Sequence, residues 1–222
     1  MISKIYLTID DSPSIHTDKK VYFLRKHNIS AIFYARGEFI EKYPNQIINA
    51  IQHGFIIGNH SYTHPYFSKI SLTQCLKELE QTENLINECY LTSGIERPCK
   101  IVRFPFADRG AGPKAKEAVS HLEKMKVLEL QSFLRKNDFK SLNFQPINSY
   151  LDSYWDWDTE DYKTKHISNK DLYLSKMHSF LNDYEKEKAV MLLHDFDTNH
   201  HLFEASMTFL LNKKIQFLDC HY

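Results

Sequence analysis

Two histidines four residues apart, in the stretch His60-Ser61-Tyr62-Thr63-His64, follow an adjacent carboxylate pair, Asp10-Asp11, from much earlier in the chain. Two imidazoles and one carboxylate are a donor set for a first-row metal. Three protein ligands leave a position open for water, the arrangement of a catalytic zinc site. The spacing carries little weight alone, because twelve histidines in 222 residues produce close pairs by chance. Two surface or hydrogen-bonded histidines are the plain alternative. Adjacent carboxylates face opposite ways on a regular strand. Asp10 and Asp11 therefore reach one site only if the strand ends at them, which Ser12-Pro13 favours because proline cannot continue a ladder. Two carboxylates held close repel each other, and a cation on one leaves the other available as a base. A turn, where Asp and Ser are common, accounts for the pair equally well.

The elements that must position these residues alternate between strand and helix. Strands are expected over 4–9, 30–34, 55–58, 100–104, 189–193 and 215–218, with two more between Phe139 and Asp158. Helices are expected over 18–28, 44–53, 71–90, 172–185 and 201–212, and 114–137 reads as mostly helical with a break. Ser71 is a fitting N-cap and Gly54 a fitting C-terminal residue. This alternation implies a mostly parallel sheet covered by helices, and the strand count favours a barrel. No linker or repeat divides the chain, so residues 1–222 read as one domain. Asp10-Asp11, His60, His64, Arg103, Asp158, Asp161 and His194 all follow predicted strands. In α/β barrels the C-terminal strand ends share the face that carries the active site, and this common placement argues for one site.

Bulk properties exclude more than they assign. Hydrophobic residues make up 42% and charged residues 25%, with zero formal net charge. That is ordinary for a globular protein and gives no electrostatic case for nucleic acid. No segment reaches the roughly 18 apolar residues of a membrane span. Residues 2–9 are broken by Ser3, Lys4 and Thr8 and run into Asp10-Asp11, unlike a signal peptide. As written the chain reads as cytoplasmic, or as an envelope or secreted protein if a leader is missing. Cys75, Cys89, Cys99 and Cys220 show no CxxC pairing and read as free, mostly buried thiols.

Five motifs in order resemble the polysaccharide deacetylases, the NodB homology domain or carbohydrate esterase family 4. They are Thr8-Ile9-Asp10-Asp11-Ser12-Pro13, the His60–His64 stretch, Arg103-Phe104-Pro105-Phe106, Asp158-Thr159-Glu160-Asp161-Tyr162 and Leu192-Leu193-His194. The sequence departs from the family pattern at Ile9, Ser12, Phe106 and Tyr162, which stand where Phe, Gly, Tyr and Trp are usual. The resemblance implies a distorted (β/α) barrel of about seven to eight parallel strands. It implies a divalent metal held by Asp11, His60 and His64, with zinc favoured and cobalt, nickel, manganese or iron as alternatives. It implies Asp10 as general base, oriented by Arg103, and His194 as general acid, with Asp161 in the supporting charge network. Phe106 is assigned to the oxyanion hole through its backbone N–H, while Leu192 and Tyr162 line the acetyl pocket.

The activity so implied is metal-dependent removal of N-acetyl groups from N-acetylglucosamine-containing glycans such as peptidoglycan or chitin-like polymers. O-acetyl esters and cyclic amides are alternative substrates for the same site, and a non-catalytic carbohydrate-binding module is an alternative of another class. Retention of both a base and an acid beside three ligand positions speaks against a binder. The sequence leaves the oligomeric state open, and residues 109–143 are the longest candidate for a feature peculiar to this chain.

Overall fold

The computed structural model describes residues 2–113, 120–144 and 150–220. Six strands and eight helices lie among them. In chain order they are β1 (Lys4–Ser12), α1 (Thr17–Lys26), β2 (Ala31–Ala35), α2 (Gly37–Lys42), α3 (Pro44–Gln52), β3 (Ile56–Asn59), α4 (Leu72–Ser93), α5 (His121–Lys136), β4 (Trp157–Asp158), α6 (Thr164–Ile167), α7 (Lys170–Asp183), β5 (Lys188–His194), α8 (His200–Asn212) and β6 (Gln216–Phe217). The strands order as β3-β2-β1-β5-β4, with β6 beside the start of β1. Every pairing is parallel, as βα alternation requires.

Period-2 alternation sorts the side chains of these strands into two faces. Ile5, Leu7 and Ile9 join Phe33, Ile57, Met191 and Leu193 in the core under the helices. Ile32, Tyr34 and Ile56 point the other way, into an inner cluster with Ile101 and Cys220. Burial on both faces is the condition of a parallel sheet and explains the nearly unbroken apolar runs.

The space between β3 and β4 is bridged by irregular chain. Asn59 donates to the Ile101 carbonyl at 2.9 Å, Arg103 to the Asn59 carbonyl at 3.0 Å, and Ser153 to the Val102 carbonyl at 2.8 Å. This is where the expected seven to eight strands are reduced to six. Residues 100–104 form isolated bridges, Asn59 to Val102 and Lys100 to Phe139, rather than a strand. Of the two strands expected between Phe139 and Asp158, one is present among the described residues, the two-residue β4. Residues 114–119 and 145–149, within two of the predicted segments, lie outside the described residues. The two unforeseen helices, α2 and α6, have six and four residues, too few to show a helical period.

Ser71 caps α4 where the sequence placed it, in a reciprocal capping box with Gln74, and Gly54 follows the end of α3 with φ 85. α4 runs past the expected residue 90 and ends at Gly94, which the sequence reading did not single out, in the left-handed region (φ 70). Cys75, Cys89, Cys99 and Cys220 are free and buried. No helix among the described residues is long and apolar enough to cross a membrane.

Candidate active site

One cavity of about 320 Å³ at the C-terminal strand ends is lined by Asp10, Asp11, His60, His64, Leu192 and His194. Phe106 and Tyr162 also line it. Arg103 and Asp161 lie behind the wall, each hydrogen-bonded to a lining residue. The ten residues singled out in the sequence therefore meet at one place.

Asp10 and Asp11 reach it by a route the sequence did not suggest. β1 does not end at them but runs through Ser12, and its register with β2 slips between Ile9 and Ser12. Asp11 takes up the slip with φ 60. This bulge turns two adjacent carboxylates toward one side, where a regular strand would oppose them.

The histidines sit on a loop beyond β3. Ser61 and His64 both have positive φ, 61° each, which costs non-glycine residues energy and persists only when the surroundings enforce it. Ser61 donates to Asn59 Oδ1 at 2.9 Å. The Glu78 carboxylate on α4 accepts from the backbone N–H groups of Tyr62 and Thr63, at 2.8 and 2.7 Å. His60 Nδ1 lies 2.7 Å from the Arg103 carbonyl oxygen. A carbonyl only accepts, so Nδ1 carries the proton and Nε2 keeps a lone pair facing the cavity.

Asp11, His60 and His64 each offer one ligand atom, and these atoms lie within 4.8 Å of one another. Asp11 Oδ1 is buried and accepts no hydrogen bond, with His64 Nε2 and Arg36 Nη1 both 3.5 Å away. A buried carboxylate oxygen left unmet is a demand that a cation satisfies. Burial holds the His60 and His64 pKa values down, to about 3 and about 2, so both imidazoles are neutral near pH 7, as metal ligation requires. Burial raises Asp11 to about 6 against the pull of His194 and Arg36. The residues fit a divalent metal.

Two charge pairs flank this cluster. Arg103 is fully buried and donates through Nη1 to Asp10 Oδ1 at 2.7 Å and Thr8 Oγ1 at 2.9 Å, and through Nη2 to the Tyr154 carbonyl at 3.2 Å. Burial lifts the Asp10 pKa and Arg103 opposes the rise. On the other side His194 Nδ1 meets Asp161 Oδ1 at 2.8 Å, and Asp161 Oδ2 accepts from the His194 and Asn199 N–H groups. Burial opposes the His194 charge, but the Asp161 hydrogen bond and nearby carboxylates prevail and raise it to about 9.

The structure also adds residues that sequence reasoning did not place in the site. Arg36, between β2 and α2, lines the cavity beside Asp11. Phe196 lines it too. Tyr66 stacks on Phe106 at 3.8 Å between centroids, and Phe106 meets His64 edge-on at 4.6 Å. Behind His194, Lys20 pairs with Asp195, both fully buried, and donates to the His194 carbonyl. None of these carried a sequence signal beyond residue type, whereas Asp158, one of the polar residues that follow predicted strands, also lines the cavity. The two tryptophans divide: Trp157 packs in the core against Phe180, and Trp155 lines the cavity.

The sequence model of the family described as polysaccharide deacetylase matches residues 2–124. The chain belongs to that family. A peptidoglycan-N-acetylglucosamine deacetylase of Bacillus cereus is 35% identical over 86 residues, 38% of this chain and 31% of that protein. The aligned stretch is thus about a third of that relative's length. The catalytic domain of a peptidoglycan N-acetylglucosamine deacetylase from Eubacterium rectale has the same fold, with a TM-score of 0.69, 21% identity, and coverage of 98% of this chain and 88% of that one. A CE4 family pseudoenzyme from Bacillus anthracis is also similar in fold, with a TM-score of 0.66, 16% identity, and coverage of 97% of this chain and 63% of that one. This polysaccharide deacetylase family member thus shares its scaffold with active and inactive proteins alike, and its own residues must carry any argument about activity.

Proposed function

We propose that the protein is a metal-dependent hydrolase that removes N-acetyl groups from N-acetylglucosamine-containing glycans. The observation that carries this reading is the pairing of Arg103 with Asp10 and of Asp161 with His194 on opposite flanks of the Asp11, His60 and His64 cluster. A base and an acid held in different electrostatic surroundings around one cavity are what amide hydrolysis needs. The family and the deacetylase relative support the same substrate chemistry.

Asp11, His60 and His64 would hold the ion, with zinc the best match to one carboxylate and two imidazoles. When bound, such an ion supplies Lewis acidity, bringing the pKa of water to about 7 and polarising a carbonyl. Asp10 takes the proton of the attacking water, and Arg103 holds its carboxylate in position. His194, kept protonated by Asp161, gives a proton to the departing nitrogen so that a neutral amine leaves. The backbone N–H of Phe106 is the proposed second stabiliser of the developing oxyanion, where one donor is typically worth about a hundredfold or more in rate. Leu192, Tyr162 and Trp155 provide apolar walls against the acetyl methyl.

The test is acetate release from N-acetylglucosamine oligomers and from peptidoglycan fragments, using chelated protein and the same protein restored with zinc or cobalt. Release that appears only on restoration is expected. No release with metal demonstrably bound would overturn the N-deacetylase reading, and ester or cyclic-amide substrates would be tried next on the same preparation.

A further inference from the structure

A second cavity, of about 520 Å³, lies beside the first and is the larger of the two. Three of its lining residues are cations, Arg109, Lys124 and Arg135, and none of its described lining residues is acidic. Lys124 and Arg135 are exposed, and neither has an acidic partner among the described residues. Arg109 is fixed in place: its Nε donates to both oxygens of the buried Asp152 carboxylate, at 2.8 and 2.9 Å, and its guanidinium lies 4.5 Å from the Tyr150 ring centroid. Asp152 also accepts from Gln131 Nε2 at 3.1 Å, and Gln131 Oε1 accepts from the Leu151 N–H at 2.9 Å. Asp152 neutralises Arg109, so in a chain of zero formal net charge the local positive excess on this wall is carried by Lys124 and Arg135.

The two cavities share a partition. The short 3-10 turn Pro105–Ala107 contributes Phe106 to the first cavity and Ala107 to the second. Phe106 and Tyr66, stacked with planes 10° apart, are both partly exposed on the rim beside the first cavity. A polymer seated on these rings with one acetamido group in the first cavity would extend a neighbouring unit toward Arg109, Lys124 and Arg135.

We propose that this second cavity is a subsite for a carboxylate-bearing part of the glycan, so that the protein prefers acidic N-acetylated strands to neutral oligomers. The proposal rests on the deacetylase reading above and narrows its substrate class. Guanidinium and ammonium groups reward an anion far more than a hydroxyl. Two of the three cations are solvated, so the preference is moderate and falls with salt.

The test uses the full chain and four ligands with the same number of sugars: a neutral N-acetylglucosamine oligomer, a peptidoglycan fragment with free carboxylates, that fragment after carboxyl amidation, and a phosphate-bearing glycan. Binding is measured by calorimetry on metal-free protein, for wild type and for the K124Q/R135Q double variant, which alters two exposed side chains and leaves the Arg109–Asp152 pair intact. The free-carboxylate fragment is expected to bind wild type roughly fivefold more tightly than the amidated one. That preference is expected to disappear in the double variant and at high salt, with binding of the neutral oligomer unchanged throughout. Equal binding of the free and amidated fragments, or a preference that survives the double substitution, overturns the proposal. A phosphate-bearing glycan of the same length that binds more tightly than the free-carboxylate fragment overturns the carboxylate assignment. Charge-selective binding without acetate release from metal-loaded protein leaves the subsite standing and sinks the deacetylase reading instead.

Discussion

His60 donates its Nδ1 proton to the carbonyl oxygen of Arg103 at 2.7 Å. Arg103 thus serves the site twice. Its backbone fixes the tautomer of a metal-ligand candidate, and its guanidinium grips Asp10, the candidate base, at 2.7 Å. Ligand and base are thereby held in register by one residue on the bridging segment between β3 and β4.

Arg103→Lys separates these two roles. The backbone carbonyl and a positive charge remain, but the simultaneous contacts to Thr8, Asp10 and Tyr154 are lost. Metal stoichiometry should be unchanged, while kcat falls by about a hundredfold, the scale set by a small misplacement of a catalytic group. Elemental analysis beside acetate-release kinetics checks both, and a variant that loses its metal would refute the division of labour.

Asp10→Asn and His60→Ala should fail differently. The first removes the base and leaves Asp11, His60 and His64 intact, so turnover drops by about a hundredfold or more with metal still bound. The second should lose both metal and turnover. Near-normal activity in Asp10→Asn would show that another group takes the proton.

His194 must be protonated to act as an acid, and its pKa is raised to about 9. Activity should therefore persist below that value and decline above it. Asp161→Asn removes the principal interactions raising the pKa, so the alkaline limb should move to lower pH by about a unit or more. A kcat/KM profile from pH 6 to 10 measures this, and an unmoved limb would remove His194 from the acid role.

Metal affinity should weaken on the acid side through Asp11 alone. In the metal-free protein Asp11 titrates near 6, whereas His60 and His64 titrate near 3 and 2. Below pH 6 one proton competes with the ion, so the logarithm of affinity should fall by about one per pH unit. Chelator competition between pH 4.5 and 8 tests it. A slope near two would mean that a histidine is being protonated in the same range.

Lys20 and Asp195 form a buried ion pair that ties α1 to the chain beyond β5. Asp195 also accepts from the Ser14 and Thr17 hydroxyls. Lys20→Met leaves that carboxylate buried without its cation and should cost about 3–5 kcal/mol in a urea unfolding experiment. Replacing both partners by apolar residues should recover part of the loss, since the second buried charge is then gone as well.

Residue identity and strand-end placement determined much of this protein before any coordinate. The βα alternation, the helix start at Ser71 and the ten residues that gather at one cavity were legible because periodicity, capping and motif order are local properties of the chain. The tertiary structure decided what depends on distant segments. β1 continues through Asp11 and bulges because β2 and β5 hold it on either side while its register slips. Residues 100–104 are apolar enough for a strand but form only bridges, because the chain beside them is irregular. Arg36, Tyr66 and Lys20 carry no motif, and they enter the site region only because β2, the loop after β3 and α1 converge there. A sequence records which groups are present, and the register and packing of elements far apart in the chain set which of them lie within a few ångströms.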